Sequence, residues 1–190
     1  MKKLYVILII IASFPVGIFF AITTGSPHTS GKTSSTMNQN SSDNVVLDLR
    51  GKNLTEVSSA IYTKTDTTTL LLSNNSIQML PSQMGRMTKV TVFKIDHNQL
   101  KGNLIGEIRQ MTQLKNLDVS YNDMTGMPAE LGQLNSLESL NYSHNHITGL
   151  PNELVQLKNN LKEFNLTGNP LSAAQVSKLK AALPNTNIIF

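Results

Sequence analysis

The sequence predicts an α/β solenoid with a parallel β-sheet on its concave face and short helices or turns on its convex face. Three observations support this prediction: a short pattern of apolar residues and asparagine recurs six times, its copies are evenly spaced, and the 190 residues contain no cysteine. A repeat period of about 20 to 50 residues is typical of stacked repeat architectures. Because no disulfide or thiolate metal site can hold the chain, its fold must depend on packing.

The recurring pattern is L-x-L-x-x-N-x-L, and its copies fill the sequence from Val45 onward. Successive copies begin 23 or 24 residues apart. The six copies are LDLRGKNL from Leu47, LLLSNNSI from Leu70, FKIDHNQL from Phe93, LDVSYNDM from Leu117, LNYSHNHI from Leu140 and FNLTGNPL from Phe164. This regular spacing predicts one structural unit for each copy, over residues 45–190.

The pattern resembles that of the leucine-rich repeat family, whose unit has about 20 to 29 residues and an L-x-x-L-x-L-x-x-N-x-L core. The resemblance covers residues 45–190, and it is to small exported or membrane-anchored members of bacterial type with repeats of 23 to 24 residues. It implies a segment of a horseshoe. It also implies a module without catalytic activity that binds a protein or peptide through its strand face.

Each copy is predicted to begin as a short strand. Leu117 and Val119 alternate with Asp118 and Ser120, a period of two that puts one side of a strand in the core. The chain needs about twenty residues to return, so successive strands must run parallel. The return segments carry leucines at helical spacing. Three of them open with a proline, a residue suited to the first position of a helix: Pro81, Pro128 and Pro151.

The copy that begins at Phe93 departs from the others. Its return segment contains LKGNLIGEI, which is one residue longer and has no proline. We expect the convex turn of this repeat to bulge.

One asparagine of each later copy occupies a fixed position after the strand. A polar side chain at a buried turn is costly unless it is paired, and an amide can donate two hydrogen bonds while its oxygen accepts. We predict that these residues form a structural ladder with no binding role: Asn75, Asn98, Asn122, Asn145 and Asn169. Lys52 takes this position in the first copy, as expected for a terminal repeat that faces water.

Residues 172–190 are predicted to cap the C-terminal end of the solenoid. Ser172 is a suitable N-cap for an amphipathic helix that continues to Leu183, and Pro184 ends it. The last three residues, Ile188 to Phe190, form an apolar strand that can cover the open end of the last repeat.

The chain starts with a basic and then a long apolar segment. Lys2 and Lys3 precede Leu4 to Ile22, 19 residues without Asp, Glu, Lys or Arg. A spanning helix needs roughly 17 to 25 apolar residues, and a basic start before an apolar stretch is also typical of a secretory signal. We interpret residues 1–22 as a signal peptide or an N-terminal transmembrane anchor. In both cases the repeats are delivered outside the cytoplasm, either held at the membrane or, after cleavage, secreted or periplasmic.

Residues 23–44 are rich in Ser, Thr and Asn and have no apolar periodicity. Such a segment cannot bury enough surface to offset the entropy of ordering it. We predict a disordered linker between the N-terminal segment and the repeats.

No catalytic or cofactor-binding arrangement can be recognised in the sequence. Gly-rich phosphate loops, nucleophile elbows and paired metal-binding motifs are absent. His144 and His146 flank a repeat asparagine, so their rings should diverge, and zinc needs three or four ligands. From Val45 onward 13 basic residues face 11 acidic ones, which is no clustered basic face for nucleic acid. We expect no enzyme, cofactor, metal or nucleic acid.

The concave strand face is the candidate binding surface. His97, Tyr121 and His144 precede the asparagines on adjacent strands about 4.8 Å apart, and amphipathic rings are enriched at binding centres. The same residue types also occur there for local backbone reasons, so a purely structural interpretation stays open. The remaining candidate ligand-binding residues lie in the two neighbouring columns: Lys94, Asp96, Asp118, Ser120 and Asn141.

The sequence therefore predicts a protein- or peptide-binding module displayed outside the cytoplasm. The membrane would be a second partner through residues 4–22 if the N-terminal segment is retained. Two alternatives remain. One is a structural or adhesion element of the cell envelope, and the other is a secreted effector that acts on host proteins.

Overall fold

The computed structural model describes residues 5–7 and 44–190. In chain order its strands are β1 (Tyr5–Ile7), β2 (Val45–Asp48), β3 (Thr69–Leu71), β4 (Val92–Lys94), β5 (Lys101–Gly102), β6 (Asn116–Asp118), β7 (Asp123–Met124), β8 (Ser139–Asn141), β9 (Glu163–Asn165) and β10 (Asn187–Ile189). One parallel sheet has the order β1-β2-β3-β4-β6-β8-β9-β10, and β5 pairs with β7 in a second, two-stranded sheet. The predicted α/β solenoid is confirmed.

The pairing register places the same repeat position of each copy side by side. Leu70 pairs with Phe93, Phe93 with Leu117, and Leu117 with Leu140. These residues and their equivalents are buried in one continuous core. Each repeat therefore buries its apolar side against its neighbours, which a single repeat cannot do alone.

The N-terminal segment is described only at Tyr5–Ile7, which lies beside β2 as a parallel strand. Tyr, Val and Ile are strong strand formers, and this pairing covers backbone groups at the outer edge of β2. The rest of the predicted signal or anchor, and residues 23–43 of the predicted linker, lie outside the described residues. Among the described residues, none of the helices has the length and apolar character that crossing a bilayer requires.

The convex side consists of short helices. They are the one-turn helix α1 (Ser59–Tyr62) and four 3-10 helices, η1 (Ser82–Arg86), η2 (Gly106–Gln110), η3 (Ala129–Gln133) and η4 (Asn152–Leu157). The prolines precede these helices by one residue and are in extended conformation, so their predicted place at the first helical position was wrong by one residue: Pro81, Pro128 and Pro151.

The longer repeat does not bulge at its convex turn, contrary to the expectation from its sequence. The helix η2 has five residues, like η1 and η3. The additional residue is accommodated earlier, where Lys101 and Gly102 form β5 and Gly102 has a φ of 66°. Glycine tolerates this left-handed conformation, so the chain absorbs the insertion before the convex side begins.

The asparagine side chains connect successive repeats through backbone groups. Asn122 Nδ2 donates to the carbonyls of Ile95 and Val119, while its Oδ1 accepts from the N–H of Leu100. Asn98 also donates to the carbonyl of Ile95, so that oxygen accepts from two successive asparagines. Equivalent bonds recur at Asn75, Asn145 and Asn169.

The C-terminal end is covered by helix α2 (Ala173–Ala182) and strand β10. Ser172 Oγ accepts from the N–H of Gln175, and the Gln175 side chain accepts in return from the N–H of Ser172, which is a capping box. Val176 and Leu179 of α2 are buried, and β10 pairs in parallel with β9.

Candidate functional site

The residue before each repeat asparagine has a left-handed backbone. In this column φ lies between 52° and 75° at Gly51, Asn74, His97, Tyr121, His144 and Gly168. The conformation turns the chain out of the strand while the backbone N–H still bonds to the next repeat, as the N–H of Tyr121 does to the carbonyl of Ser143. Glycine, asparagine and histidine tolerate this region, whereas a bulky tyrosine rarely occupies it.

Three rings of this column stack on one another at the edge of the strand face. The ring centroids of His97 and Tyr121 are 4.3 Å apart with planes inclined by 16°, and those of Tyr121 and His144 are 4.2 Å apart with planes inclined by 15°. All three residues are exposed, Tyr121 by 46%. We call these three residues the aromatic ridge.

Both ends of the aromatic ridge are held in place. His97 Nδ1 lies 3.0 Å from Asp96 Oδ2, and Asp96 Oδ1 accepts a 2.5 Å hydrogen bond from the hydroxyl of Ser73. At the other end, a Cβ atom on Gly168 would lie 2.8 Å from His144 Nδ1. A carboxylate therefore orients one terminal imidazole, and a glycine leaves space for the other.

The neighbouring column on the strand face is partly used by the fold itself. Asp118 Oδ1 accepts from both the N–H and the hydroxyl of Ser120, at 3.0 and 2.7 Å. Asn141 Oδ1 accepts in the same way from the N–H of Ser143, at 3.1 Å. These local side-chain bonds explain why Asp and Asn recur at this position. They leave Asp118 Oδ2 and the amide nitrogen of Asn141 for a ligand.

The structure corrects the placement of Ser120 among the ligand-contacting residues. Its side chain is only 4% exposed and bonds to Asp118, so it positions that carboxylate and does not face a ligand. Lys94 is exposed and pairs with Asp118 in the strand register. Asp118 in turn pairs with Asn141, so these three side chains follow one another across the sheet.

A further column of the strand face was not predicted from the sequence. A groove of about 290 Å³ is lined by Lys94, Asp118 and Asn141 and, at the start of the strands, by the residues of this column: Val92, Asn116, Ser139 and Glu163. They lie two residues before the first predicted column, so the period of two along a strand could have identified them.

The arrangement offers recognition chemistry. In residues 5–7 and 44–190 no group of three His, Cys, Asp or Glu side chains lies close enough to hold a metal ion. His146 Nε2 lies 3.8 Å from Asp123 Oδ1 in an exposed pair. His97 and His144 are separated by the whole ring of Tyr121, so they cannot bind one ion together.

A Leucine Rich Repeat family model matches residues 136–157, which include one full turn of the solenoid from β8 to η4. The match, the six-fold pattern and the parallel sheet agree. The chain is a leucine-rich repeat protein. No curated protein sequence matches this leucine-rich repeat chain.

Solved structures of other leucine-rich repeat proteins are similar to this one. A leucine-rich repeat protein of Leptospira interrogans has 27% identity and a TM-score of 0.52, over 77% of this chain and 48% of that one. Internalin C2 of Listeria monocytogenes has 26% identity and a TM-score of 0.66, over 80% and 63%. The plant peptide hormone receptor RGFR1 in complex with RGF2 has 26% identity and a TM-score of 0.65, over 78% and 24%. The leucine-rich repeat chain thus spans less than two thirds of each.

Proposed function

We propose that the chain is a non-catalytic recognition module that binds a protein or peptide outside the cytoplasm, through the aromatic ridge and the adjoining groove. The observation that carries this proposal is the ring of Tyr121 on a left-handed backbone. Glycine would fit that backbone without strain, and the same column has glycine at Gly51 and Gly168. Strained residues concentrate at functional sites, and a ring stacked between two others supplies a rigid contact for a ligand.

The chemistry of the surface also supports binding. Tyr121 presents a large ring at low entropic cost, a property of residues that dominate interfaces. Beside it, Lys94, Asp118 and Asn141 offer polar groups that can fix the orientation of a ligand. Among the similar proteins, RGFR1 is a peptide hormone receptor solved with RGF2, which makes a peptide a natural ligand class for this chain.

The experiment compares two glycine variants of the full-length chain. The triple variant His97→Gly, Tyr121→Gly and His144→Gly removes the aromatic ridge and keeps the left-handed backbone free of strain. The control, Asn74→Gly, changes an exposed residue of the same column outside the ridge. Immobilised chains are cross-linked to proteins of envelope extracts and of the culture medium, and bound species are identified by mass spectrometry.

We expect at least a tenfold loss of a specific bound species in the triple variant and no loss in Asn74→Gly. Circular dichroism must show that the triple variant is folded. A folded triple variant that retains the bound species in full would overturn the ridge as the binding surface.

Export is proposed from the N-terminal segment. The 19 apolar residues after Lys2 and Lys3 favour delivery of the repeats across a membrane. N-terminal sequencing of the mature protein, with separation of membrane and soluble fractions, distinguishes a retained anchor from a cleaved signal. Repeats that resist protease added to intact cells, and that degrade only after lysis, would contradict export.

A structural role in the cell envelope is the second candidate. It is favoured by the internal use of polar groups on the strand face, where Asp118 and Asn141 each bond to the chain two residues ahead. If the chain serves only as a stiff spacer, the triple glycine variant will restore envelope integrity in a deletion strain as well as the wild-type chain does.

A further inference from the structure

We infer that the aromatic ridge takes a proline-rich, basic peptide in the polyproline II conformation. This inference rests on the proposed binding function and deepens it by naming the class of ligand. Three independent features lead to it: the spacing of the rings, the balance of charge around them, and the small size of the surface.

The spacing of the rings favours a ligand with a long repeat. His97 and His144 are two stacking steps apart, and the steps are 4.3 and 4.2 Å. A polyproline II helix repeats every three residues, or about 9.3 Å, which is within about 1 Å of two steps. An α-helix repeats at about 5.4 Å and an extended strand at about 6.8 Å, and both distances fall between one and two steps.

The hydrogen-bonding groups of the surface suit the same ligand. A polyproline II helix has no internal hydrogen bonds, so its carbonyl oxygens remain free to accept. The exposed groups that can donate to them are the hydroxyl of Tyr121, the ammonium of Lys94 and the amide nitrogen of Asn141, whose Oδ1 is already bonded to Ser143. The peptide carbonyls would thus meet donors in three adjacent repeats.

The charge around the aromatic ridge favours a basic ligand. In the three repeats that carry the rings, the segment from the strand through the asparagine turn, at 92–99, 116–123 and 139–146, contains three carboxylates and one lysine. The carboxylates are Asp96, Asp118 and Asp123, and the lysine is Lys94. Complementary charge guides association and selects among ligands, so Arg or Lys side chains between the prolines would meet these carboxylates.

The size of the surface favours a ligand that is already ordered. The ridge and the groove together span three or four repeats, so a ligand across them buries much less than the roughly 800 Å² that each partner contributes to a standard interface. A flexible peptide loses entropy when it becomes ordered on binding. The preformed polyproline II helix loses little, and such peptides dock on aromatic surfaces in other proteins.

The test uses three synthetic peptides of equal length and the full-length chain. The first consists of four Pro-Pro-Arg triplets, the second of four Gly-Ser-Arg triplets with the same charge and no preformed helix, and the third of four Pro-Pro-Glu triplets. Binding is measured by fluorescence anisotropy for the wild-type chain, for Tyr121→Gly and for the control Asn74→Gly.

We expect the Pro-Pro-Arg peptide to bind at least tenfold more tightly than the other two, to lose at least tenfold in affinity with Tyr121→Gly, and to be unaffected by Asn74→Gly. Equal affinity for the Pro-Pro-Arg and Gly-Ser-Arg peptides would overturn the inference, as would binding that Tyr121→Gly leaves intact. If the peptides fail while the cross-linked partner still depends on the ridge, the ligand class is wrong and the proposed function stands.

Discussion

Gly168 leaves the space that the ring of His144 occupies, because a Cβ atom at Gly168 would lie 2.8 Å from His144 Nδ1. Gly168 also has a φ of 75°, in the left-handed region. The last repeat thus has two separate reasons for glycine at this position. Gly51, at the other end of the same column, has a φ of 63°, but a Cβ atom there would meet nothing within 4 Å, so it has only one.

Gly168→Ala should therefore destabilise the protein more than Gly51→Ala. Both substitutions introduce left-handed strain of roughly 1 to 2 kcal/mol, and Gly168→Ala also pushes the imidazole away, at a further cost of about 1 kcal/mol. Urea denaturation of the two variants measures the difference. Equal losses of stability would show that His144 is free to move, and the aromatic ridge would then not be rigid at this end.

The order of stability at position 121 should also be unusual. Tyr121 has a φ of 52°, and alanine cannot relieve the strain there, whereas glycine can. We expect Tyr121→Gly to be more stable than Tyr121→Ala by about 1 kcal/mol, the reverse of the order found in a helix or strand. Thermal denaturation of the two variants provides the comparison. If alanine is the more stable residue, the left-handed conformation at Tyr121 is wrong.

Two neighbouring asparagines should show energetic coupling. Asn98 and Asn122 both donate to the carbonyl of Ile95, so a single substitution to alanine still leaves that oxygen one partner and the double substitution leaves none. Asn122→Ala alone should cost about 2 to 3 kcal/mol, mainly because the buried N–H of Leu100 loses its acceptor.

A double-mutant cycle for Asn98→Ala and Asn122→Ala should yield a coupling of about 1 kcal/mol. The matched control pairs Asn98→Ala with Asn145→Ala, which donate to different carbonyls and should be additive within about 0.5 kcal/mol. The ladder would be a set of independent bonds if both pairs were additive.

Much of the fold could be predicted from the sequence because each repeat has nearly the same neighbours as the next. The alternation of Leu117 and Val119 with polar residues is enough to orient a strand, and the spacing of the copies fixes the parallel register. The adjacency of His97, Tyr121 and His144 follows from the same register. What decides their geometry, the left-handed backbone and the space above Gly168, is a property of the turn and has no signature in hydrophobic spacing.

The fate of individual polar side chains was harder to predict. Alternation places Ser120 on the outer side of the strand, but its hydroxyl bonds to Asp118 and the residue is buried. This capture depends on the side-chain rotamer of Asp118, which the pattern of residues does not specify. Val92 and Glu163 were missed for a simpler reason, since the strand face extends two residues further toward the N-terminal ends of the strands than the repeat pattern.

Tyr142 contains the least satisfied polar group of the core. It is fully buried in a position where the equivalent residues are aliphatic, such as Val119 and Leu166, and within the described part of the chain its hydroxyl has no hydrogen-bond partner. Removing an unpaired buried hydroxyl removes its desolvation cost, which is about 1 to 3 kcal/mol. We expect Tyr142→Phe to raise the free energy of unfolding by about 1 kcal/mol at neutral pH.

The same residue should make the protein sensitive to alkali. Burial raises the pKa of Tyr142 in the folded protein, so above about pH 10, the ordinary pKa of tyrosine, the unfolded chain releases this proton while the folded chain retains it. Stability that is complete below that pH is then lost as the pH rises, at up to about 1.4 kcal/mol per pH unit. Tyr142→Phe removes this contribution, and the other titrating groups cancel when the two proteins are compared. Urea denaturation at several values between pH 9 and 11 should show the advantage of the variant growing with pH, and a constant difference would mean that water reaches the Tyr142 hydroxyl in the folded state.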